Sequence, residues 1–136
     1  MEFSDVIKNR YSCKKFSSEQ IGKDKLDAIL EAGRVAPTAK NLQEQHIYVV
    51  QSESALETID KLTPCRYNAP TVLIVAFNKN NVFTYPGDKR NSGIEDATIV
   101  ATHLMLAACN EGVDSCWINF FNPDELAKAF NLPEDE

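Results

Sequence analysis

The sequence predicts a single domain that combines α-helices with a few buried β-strands, and three observations point to this class. The chain has 136 residues, which is the length of one domain with a sizeable core. Several segments repeat apolar residues at helical spacing. Three other segments are short and β-rich, and two of them are strongly apolar, as strands inside a sheet are. We therefore expect one domain over residues 1–136.

The N-terminal half predicts two helices, a strand and a third helix. Apolar residues near the N-terminus indicate a short helix that ends near Arg10. Helical spacing predicts a second helix over about 23–35, and Pro37 helps to end it. A short strand is expected near 46–51. Ser52 follows it in the position of an N-cap for the third helix.

The middle of the chain predicts a central strand and a long helix. Residues 71–77 are apolar on both faces, which favours a strand with neighbours on either side. Residues 78–92 are rich in Asn, Gly, Pro and Ser and indicate a loop. The segment 93–111 has so little polar surface that we expect a helix buried nearly all round. Gly112 is suited to end that helix.

The C-terminal part predicts one more strand and one more helix. Residues 115–121 have the composition of a strand. The run 122–125, Asn-Pro-Asp-Glu, supplies an N-cap, a Pro at the first helical position and an acidic residue at the third. Only three strands are predicted, and two of them are strongly apolar. A central strand needs a neighbouring strand on each side. We therefore expect that a segment is missing or that a partner chain completes the sheet.

Composition limits the class of protein. The net charge of −6 argues against nucleic acid as a partner, because the phosphate backbone repels an acidic chain. The sequence has no apolar run near the roughly 20 residues that span a bilayer, and no signal-peptide pattern, so we expect a cytoplasmic protein without membrane contact. The four cysteines form no C-x-x-C pair, and no metal site is predicted.

Two short segments carry most of the polar chemistry. Residues 10–16, Arg-Tyr-Ser-Cys-Lys-Lys-Phe, place three cations and a hydroxyl where a phosphate could bind. The alternative is that these cations complement the dipole of the preceding helix. Residues 36–43, Ala-Pro-Thr-Ala-Lys-Asn-Leu-Gln, offer a hydroxyl and two amides, which suit a polyol or a heterocyclic edge. The alternative there is ordinary turn capping by Thr38 and Asn41.

The order and spacing of several motifs resemble the FMN-dependent nitroreductase family. Arg-x-Ser-x-basic-x-Phe is followed, after a helix of about three turns, by Ala-Pro-Thr-Ala-x-Asn-x-Gln. The other matching motifs follow in the same order: His-Ile-Tyr-Val-Val at 46–50, Asn-Ala-Pro at 68–70, Ile-Glu-Asp at 94–96 and Gly-Val-Asp-Ser-Cys-Trp at 112–117. No single motif is specific, but the ordered set covers nearly the whole chain.

The resemblance implies an α+β fold, a three-layer α/β/α sandwich with a central mixed, mostly antiparallel sheet. The functional unit would be an intertwined homodimer with two FMN sites at its interface. Arg10, Ser12 and Lys14 would hold the phosphate and ribityl chain, with Tyr11 where the family often has a second Arg. The segment 117–120 would pass close to the flavin ring. The residues that would contact the same flavin from the other subunit are Pro37, Thr38, Asn41 and Gln43.

The resemblance also implies a reaction. Hydride would pass from NADH or NADPH through the flavin to a nitroaromatic, a quinone or a similar small acceptor, in a ping-pong sequence carried by the cofactor. No side chain is expected to act as an acid–base catalyst. The second hypothesis is a flavin-binding protein without nitroreductase turnover, such as an FMN carrier or a protein for a specialised flavin transformation. Rapid reduction of the bound flavin by a nicotinamide would distinguish the two.

The chain departs from the family pattern at a few positions. Lys14 stands where an Arg is frequent, which weakens the phosphate site without abolishing it. Glu44 and Gln45 replace a common Pro-Trp pair. The family's last sheet strand and its C-terminal tail are not found after 133–136. We therefore expect a longer natural protein.

Overall fold

The computed structural model describes residues 1–136 and has α-helices, two short 3₁₀ turns and one small sheet. The helices are α1 (Phe3–Asn9), α2 (Lys23–Arg34), α3 (Glu53–Leu62), α4 (Gly93–Asn110) and α5 (Pro123–Ala129), and the strands are β1 (Gln45–Val50) and β2 (Val72–Phe77). The mixture confirms the α+β class. None of the helices combines the length and the apolar character needed to cross a bilayer.

The predicted helix ends are confirmed by their hydrogen bonds. Ser52 Oγ accepts from the backbone N–H of Ala55 at 3.3 Å and so caps α3. Asn122 Oδ1 caps α5 by accepting two backbone N–H bonds, and a Pro occupies the first turn. After α4, Gly112 adopts a φ of 71°, a conformation that glycine reaches without steric cost.

The two strands are antiparallel neighbours. Gln45 lies opposite Phe77 and Val50 opposite Val72, so the pairing extends over the full length of both strands. No third strand pairs with the outer edge of β2. An open cavity of about 1390 Å³ is lined by β2 and by residues that include 115–119.

The prediction of a strand over 115–121 is wrong. Ser115 alone pairs, through an isolated parallel bridge with Ser12, and its carbonyl accepts from the Cys13 N–H at 2.9 Å. A strand exists only where a neighbouring backbone supplies a ladder of hydrogen bonds. Here the neighbour is the short stretch after α1, which reaches one residue and no further.

Helices cover both faces of the sheet because the side chains of each strand alternate. Leu73 and Val75 of β2 pack with the cluster built on α2 and α4, whereas Ile74 packs with Val50 and with Ile59 of α3. Leu126 and Phe130, from α5 and its end, cover the second cluster. The antiparallel pair therefore has helical layers above and below it.

Helix α4 is buried on one face only. Its buried residues recur every three or four positions: Gly93, Asp96, Val100, Leu104 and Ala108. On other sides of the helix, Ile94 is 75% exposed and Ile99 is 36% exposed. The expected burial all round is therefore not found in the single chain, because one sheet and four short helices cannot enclose this helix.

The start of α4 is packed tightly under β2. A Cβ at Gly93 would lie 2.2 Å from Cε2 of Phe77, well inside van der Waals contact. The ring of Phe77 therefore lies over the backbone where α4 begins. This contact fixes the N-terminal turn of α4, and with it Asp96, against the end of the sheet.

We predict that Gly93→Ala lowers the free energy of unfolding by about 1–3 kcal/mol, the usual cost of overpacking. Urea unfolding would measure it. Gly22→Ala is the matched control, because Gly22 has a φ of −67° and no atom within 4 Å of the added Cβ. Adding Phe77→Leu should restore part of the loss. An unchanged urea midpoint for Gly93→Ala would contradict the close packing.

Candidate functional site

The basic segment 10–16 leaves α1 in an extended conformation. Arg10 is the C-cap, with φ −61° and ψ 143°, so the chain turns away from the helix at this residue. Its guanidinium lies near α4, with Nη1 3.9 Å from Sδ of Met105. Neither Arg10 nor Lys14 takes part in any of the ion pairs of the structure. These cations therefore have no acidic partner within the chain.

The hydroxyls and the thiol of this segment have different surroundings. Ser12 is exposed and bonds only through its backbone bridge to Ser115. The Tyr11 hydroxyl donates to the Asp114 carboxylate at 2.9 Å, and this hydrogen bond raises the pKa of Tyr11 to about 12. Cys13 is buried, and its Sγ donates to the carbonyl of Lys15. Ser12 is thus the free hydroxyl of the segment, whereas Tyr11 and Cys13 are already engaged.

The segment 36–43 forms a strained turn between α2 and β1. Lys40, Asn41 and Gln43 all adopt left-handed backbone conformations, with φ between 51° and 55°. Side chains other than glycine pay a steric cost there, although Asn tolerates the region better than most. Strain of this kind persists only where neighbouring contacts hold it, and it is concentrated at functional sites.

Thr38 holds this turn together from within. Its Oγ1 accepts from the Gln43 N–H at 3.0 Å, and its carbonyl accepts from the Asn41 N–H at 3.0 Å. The side-chain amides of Asn41 and Gln43 are exposed and make no hydrogen bond within the chain. Pro37 is exposed beside them. The turn therefore presents two free amides on a backbone that its own hydroxyl has fixed.

A buried carboxylate attaches the turn to α4. Asp96 is 2% exposed; its Oδ1 accepts from the Ala39 N–H at 3.0 Å and its Oδ2 from Ser92 Oγ at 2.7 Å. Glu44, at the end of the turn, is 3% exposed, and neither of its carboxylate oxygens has a hydrogen-bond donor. Two acidic side chains are therefore buried where the turn meets the helix.

The environment separates the acidities of the two carboxyls. Burial raises the pKa of Glu44, and the neighbouring Asp96 raises it further. Burial also opposes ionisation of Asp96, but hydrogen bonds from Glu44, Ser92 and the Ala39 N–H outweigh it and lower the pKa of Asp96. Within this pair, Glu44 is therefore the weaker acid and Asp96 the stronger one.

Sequence reasoning did not find this acidic pair. Asp96 stood out only as part of the motif that opens α4, and Glu44 only as a replacement for Pro. Nothing local marks either residue as buried, because the turn between α2 and β1 has no apolar periodicity. The one usable signal was that an acidic residue stood directly before an apolar strand.

The two polar segments contact opposite faces of α4. Arg10 lies against Met105 and the turn is bonded to Asp96, nine residues earlier. Nine residues correspond to a rotation of about 180° and a rise of about 13.5 Å in an α-helix. A single chain therefore does not bring the basic segment and the turn into one compact site.

The segment 117–120 is exposed beside the open cavity. Trp117 is 42% exposed and its Nε1 donates to Oδ1 of Asn119 at 2.9 Å, while Phe120 is 73% exposed. These aromatic side chains have room to contact a planar ligand. No hydrogen bond in the structure joins this segment to the turn at 36–43.

Known proteins are similar to this chain over most of its length. The model of the nitroreductase family matches residues 7–65 and 64–136. A nitroreductase family protein from Clostridium difficile 630 is 35% identical, with a TM-score of 0.95 over 99% of this chain and 78% of its own. An FMN-dependent nitroreductase, also from Clostridium difficile, is 28% identical, with a TM-score of 0.80 over 97% of this chain and 80% of its own.

A curated relative from Archaeoglobus fulgidus is similar in sequence. It carries the provisional name NADH dehydrogenase/NAD(P)H nitroreductase and is 28% identical over 140 residues, which cover 96% of this chain and 76% of the relative. The motifs that resemble this family therefore lie in a chain that matches the family model along nearly its whole length.

We predict that Thr38→Val loosens the turn while keeping its shape. Loss of the Oγ1 acceptor should cost roughly 0.5–1.5 kcal/mol locally and so speed hydrogen exchange of the Gln43 amide about two- to tenfold. Exchange followed by NMR would measure this. Thr38→Ser is the control, since it keeps the hydroxyl. Equal protection of Gln43 in both variants would contradict the role of Thr38.

Proposed function

The chain belongs to the nitroreductase family, and from this premise we propose that it is an FMN-dependent oxidoreductase. The electron donor would be NADH or NADPH, and the acceptor a nitroaromatic, a quinone or a similar small molecule. The observation that carries the proposal is that the polar side chains of the two segments are largely unengaged. Arg10 contacts only the sulfur of Met105, whereas the side chains of Ser12, Lys14, Asn41 and Gln43 make no hydrogen bond within the chain. Groups that are solvated and unpaired are available to a ligand.

The basic segment fits a phosphate monoester. Arg10 offers a planar set of donors, Ser12 a hydroxyl and Lys14 a compact charge, and no carboxylate neutralises these cations. The nearby Asp114 already accepts from Tyr11. The chain also lacks the G-x-G-x-x-G motif that would hold a pyrophosphate, which favours FMN over FAD.

The turn at 36–43 fits the ribityl chain and the edge of the ring. The amides of Asn41 and Gln43 each present a donor and an acceptor, and their backbone is fixed by Thr38 and Asp96. A fixed backbone loses little further entropy when a ligand binds. Pro37 adds a rigid apolar surface beside the amides.

We further propose that each flavin is shared between two chains. In one chain the basic segment and the turn lie against opposite faces of α4, so a second copy would have to supply one of them. The exposed Ile94 and Ile99 on α4 provide apolar surface for such a contact. An intertwined dimer of three-layer α/β/α sandwiches, each with a mixed, mostly antiparallel sheet, is the corresponding architecture. The free cysteines suit a reducing cytoplasm.

The residues of the chain would bind the flavin and orient it. Bound FMN would supply the transfer of hydride between donor and acceptor. Arg10 and Lys14 would neutralise the phosphate charge. Asn41 and Gln43 would set the rotation of the ring by hydrogen bonds along its polar edge. Trp117 would limit access of water to one side of the site, which leaves the other side for substrates in turn.

We predict that Arg10→Ala weakens FMN binding by about 1.5–3 kcal/mol, the contribution of a charge-assisted hydrogen bond. Quenching of flavin fluorescence in a titration would measure the affinity. Lys8→Ala is the matched control, because it removes the same charge two residues away and Lys8 is exposed on α1. The same titration with FAD should give weaker binding. Equal losses of FMN affinity in the two variants would contradict phosphate binding by Arg10 and would favour an interaction of Arg10 with the dipole of α1.

We predict that two variants with defective flavin sites complement each other. A chain with Arg10→Ala and a chain with Asn41→Ala, refolded together, would form heterodimers in which one site has both residues intact. Random pairing then restores about a quarter of the wild-type sites, measured as NAD(P)H-dependent reduction of a quinone. The double variant, refolded alone, is the control and should remain inactive. Absence of recovery, with a monomeric mass in sedimentation, would overturn the shared site.

A further inference from the structure

The buried carboxyls of Glu44 and Asp96 face each other without a compensating cation. Neither takes part in an ion pair, although both are at least 97% buried. Two ionised carboxylates in this position would repel each other and lose their hydration. The pair is stable only if one of the two groups carries a proton.

A shared proton also accounts for one of the two orphaned oxygens of Glu44. Asp96 already accepts from the Ala39 N–H and from Ser92 Oγ, and an ionised carboxylate has further lone pairs with which to accept. A protonated Glu44 supplies the O–H donor that an ionised Glu44 lacks. The donor then belongs to Glu44 and the acceptor to Asp96, the same assignment that their opposite pKa shifts favour.

The pair spans the strained turn. Ala39 begins the short helical part of the turn and bonds to Asp96. Glu44 follows the turn, and its side chain interacts with the same carboxylate. The residues between them include Asn41 and Gln43, with left-handed backbones and free amides. One carboxylate on α4 therefore lies beside both ends of the segment that presents these amides.

We propose that Glu44 and Asp96 share one proton and act together as positioning residues that fix the turn at 39–44 against α4. The inference rests on the proposed function only where it assigns this turn to the flavin. Asp96 is the acceptor at both ends of the turn, and Glu44 is the donor that the pair requires. Both side chains are buried, so neither would touch the ligand.

The groups around the pair are polar but supply no positive charge. From the turn come the Ala39 N–H and the side chain of Gln45, and from the N-terminal end of α4 the hydroxyl of Ser92. The loop before α4 contributes Tyr85, whose hydroxyl is held by Glu95 of that helix. Ionisation of Glu44 would therefore add a second negative charge to a site that already contains Asp96 and has Glu95 nearby.

The two carboxyls make opposite contributions to the pH dependence of stability. Because the pKa of Glu44 is raised, its contribution is complete below its ordinary value of 4.5 and is lost as the pH rises through the folded pKa. Because the pKa of Asp96 is lowered, its contribution is present above its ordinary value of 3.8 and is lost as the pH falls through the folded pKa. The two titrate as a coupled unit.

The experiment compares wild type with Glu44→Gln, whose amide can donate to Asp96 at every pH. Urea unfolding of the flavin-free protein from pH 5 to 9 should show wild type losing stability as the pH rises, and a flatter profile for Glu44→Gln. Glu57→Gln removes an exposed carboxyl of α3 and should keep the wild-type slope. Parallel slopes for wild type and Glu44→Gln would overturn the shared proton.

Amide exchange tests the positioning itself. Glu44→Ala removes the donor, so the Ala39 amide should exchange on the order of tenfold faster than in wild type at pH 6, whereas Glu44→Gln should retain its protection. Unchanged exchange in Glu44→Ala would overturn the positioning role. These readouts need no flavin, so failure of wild type to bind FMN would overturn the proposed function alone.

Flavin affinity links the pair to the site. The phosphate of FMN titrates near pH 6, so affinity depends on pH even without the pair. The difference between wild type and Glu44→Gln cancels this contribution. Affinity that declines with pH more steeply in wild type supports positioning of the turn for the ligand, and identical pH profiles would overturn it.

Discussion

The buried face of α4 is the constraint on which the rest of the structure depends. Val100, Leu104 and Ala108 pack against α2 and against one face of the sheet, and Gly93 allows Phe77 to lie directly over the start of the helix. The same face continues into Asp96, which bonds the turn before β1. Apolar packing and a polar anchor thus lie along one line of side chains, so the position of the turn follows from the core.

The turn is held in place at an energetic cost. Three residues in left-handed conformations cost on the order of 1 kcal/mol each, and the hydrogen bonds of Thr38 and Asp96 offset this cost. A relaxed turn would be cheaper but would let the amides of Asn41 and Gln43 point in many directions. The segment that we propose to bind the flavin is therefore also the segment in which the chain stores strain.

Local chemistry could be predicted from the sequence, and long-range pairing could not. Ser52 and Asn122 cap helices because the capping bonds join residues two or three apart. The stretch 115–121 is β-rich, yet strand formation depends on a neighbour elsewhere in the chain, and only Ser115 finds one. The burial of Glu44 likewise depends on α4, about fifty residues away, so composition around it gave no warning. The helix expected over 93–111 is found over Gly93–Asn110. The burial of its remaining faces depends on the elements that surround it.

The unpaired edge of β2 has a consequence for the tendency of the chain to aggregate. Its six residues, Val-Leu-Ile-Val-Ala-Phe, carry no charge and no proline, and their outer hydrogen-bonding groups face an open cavity. A strand edge with this composition is a template for cross-β stacking with identical chains. Newly synthesised chains would therefore be prone to aggregate through this edge while it is uncovered. The net negative charge of the protein would oppose aggregation by electrostatic repulsion. Aggregation would therefore be expected first when the protein is synthesised at a high rate or at a high expression temperature.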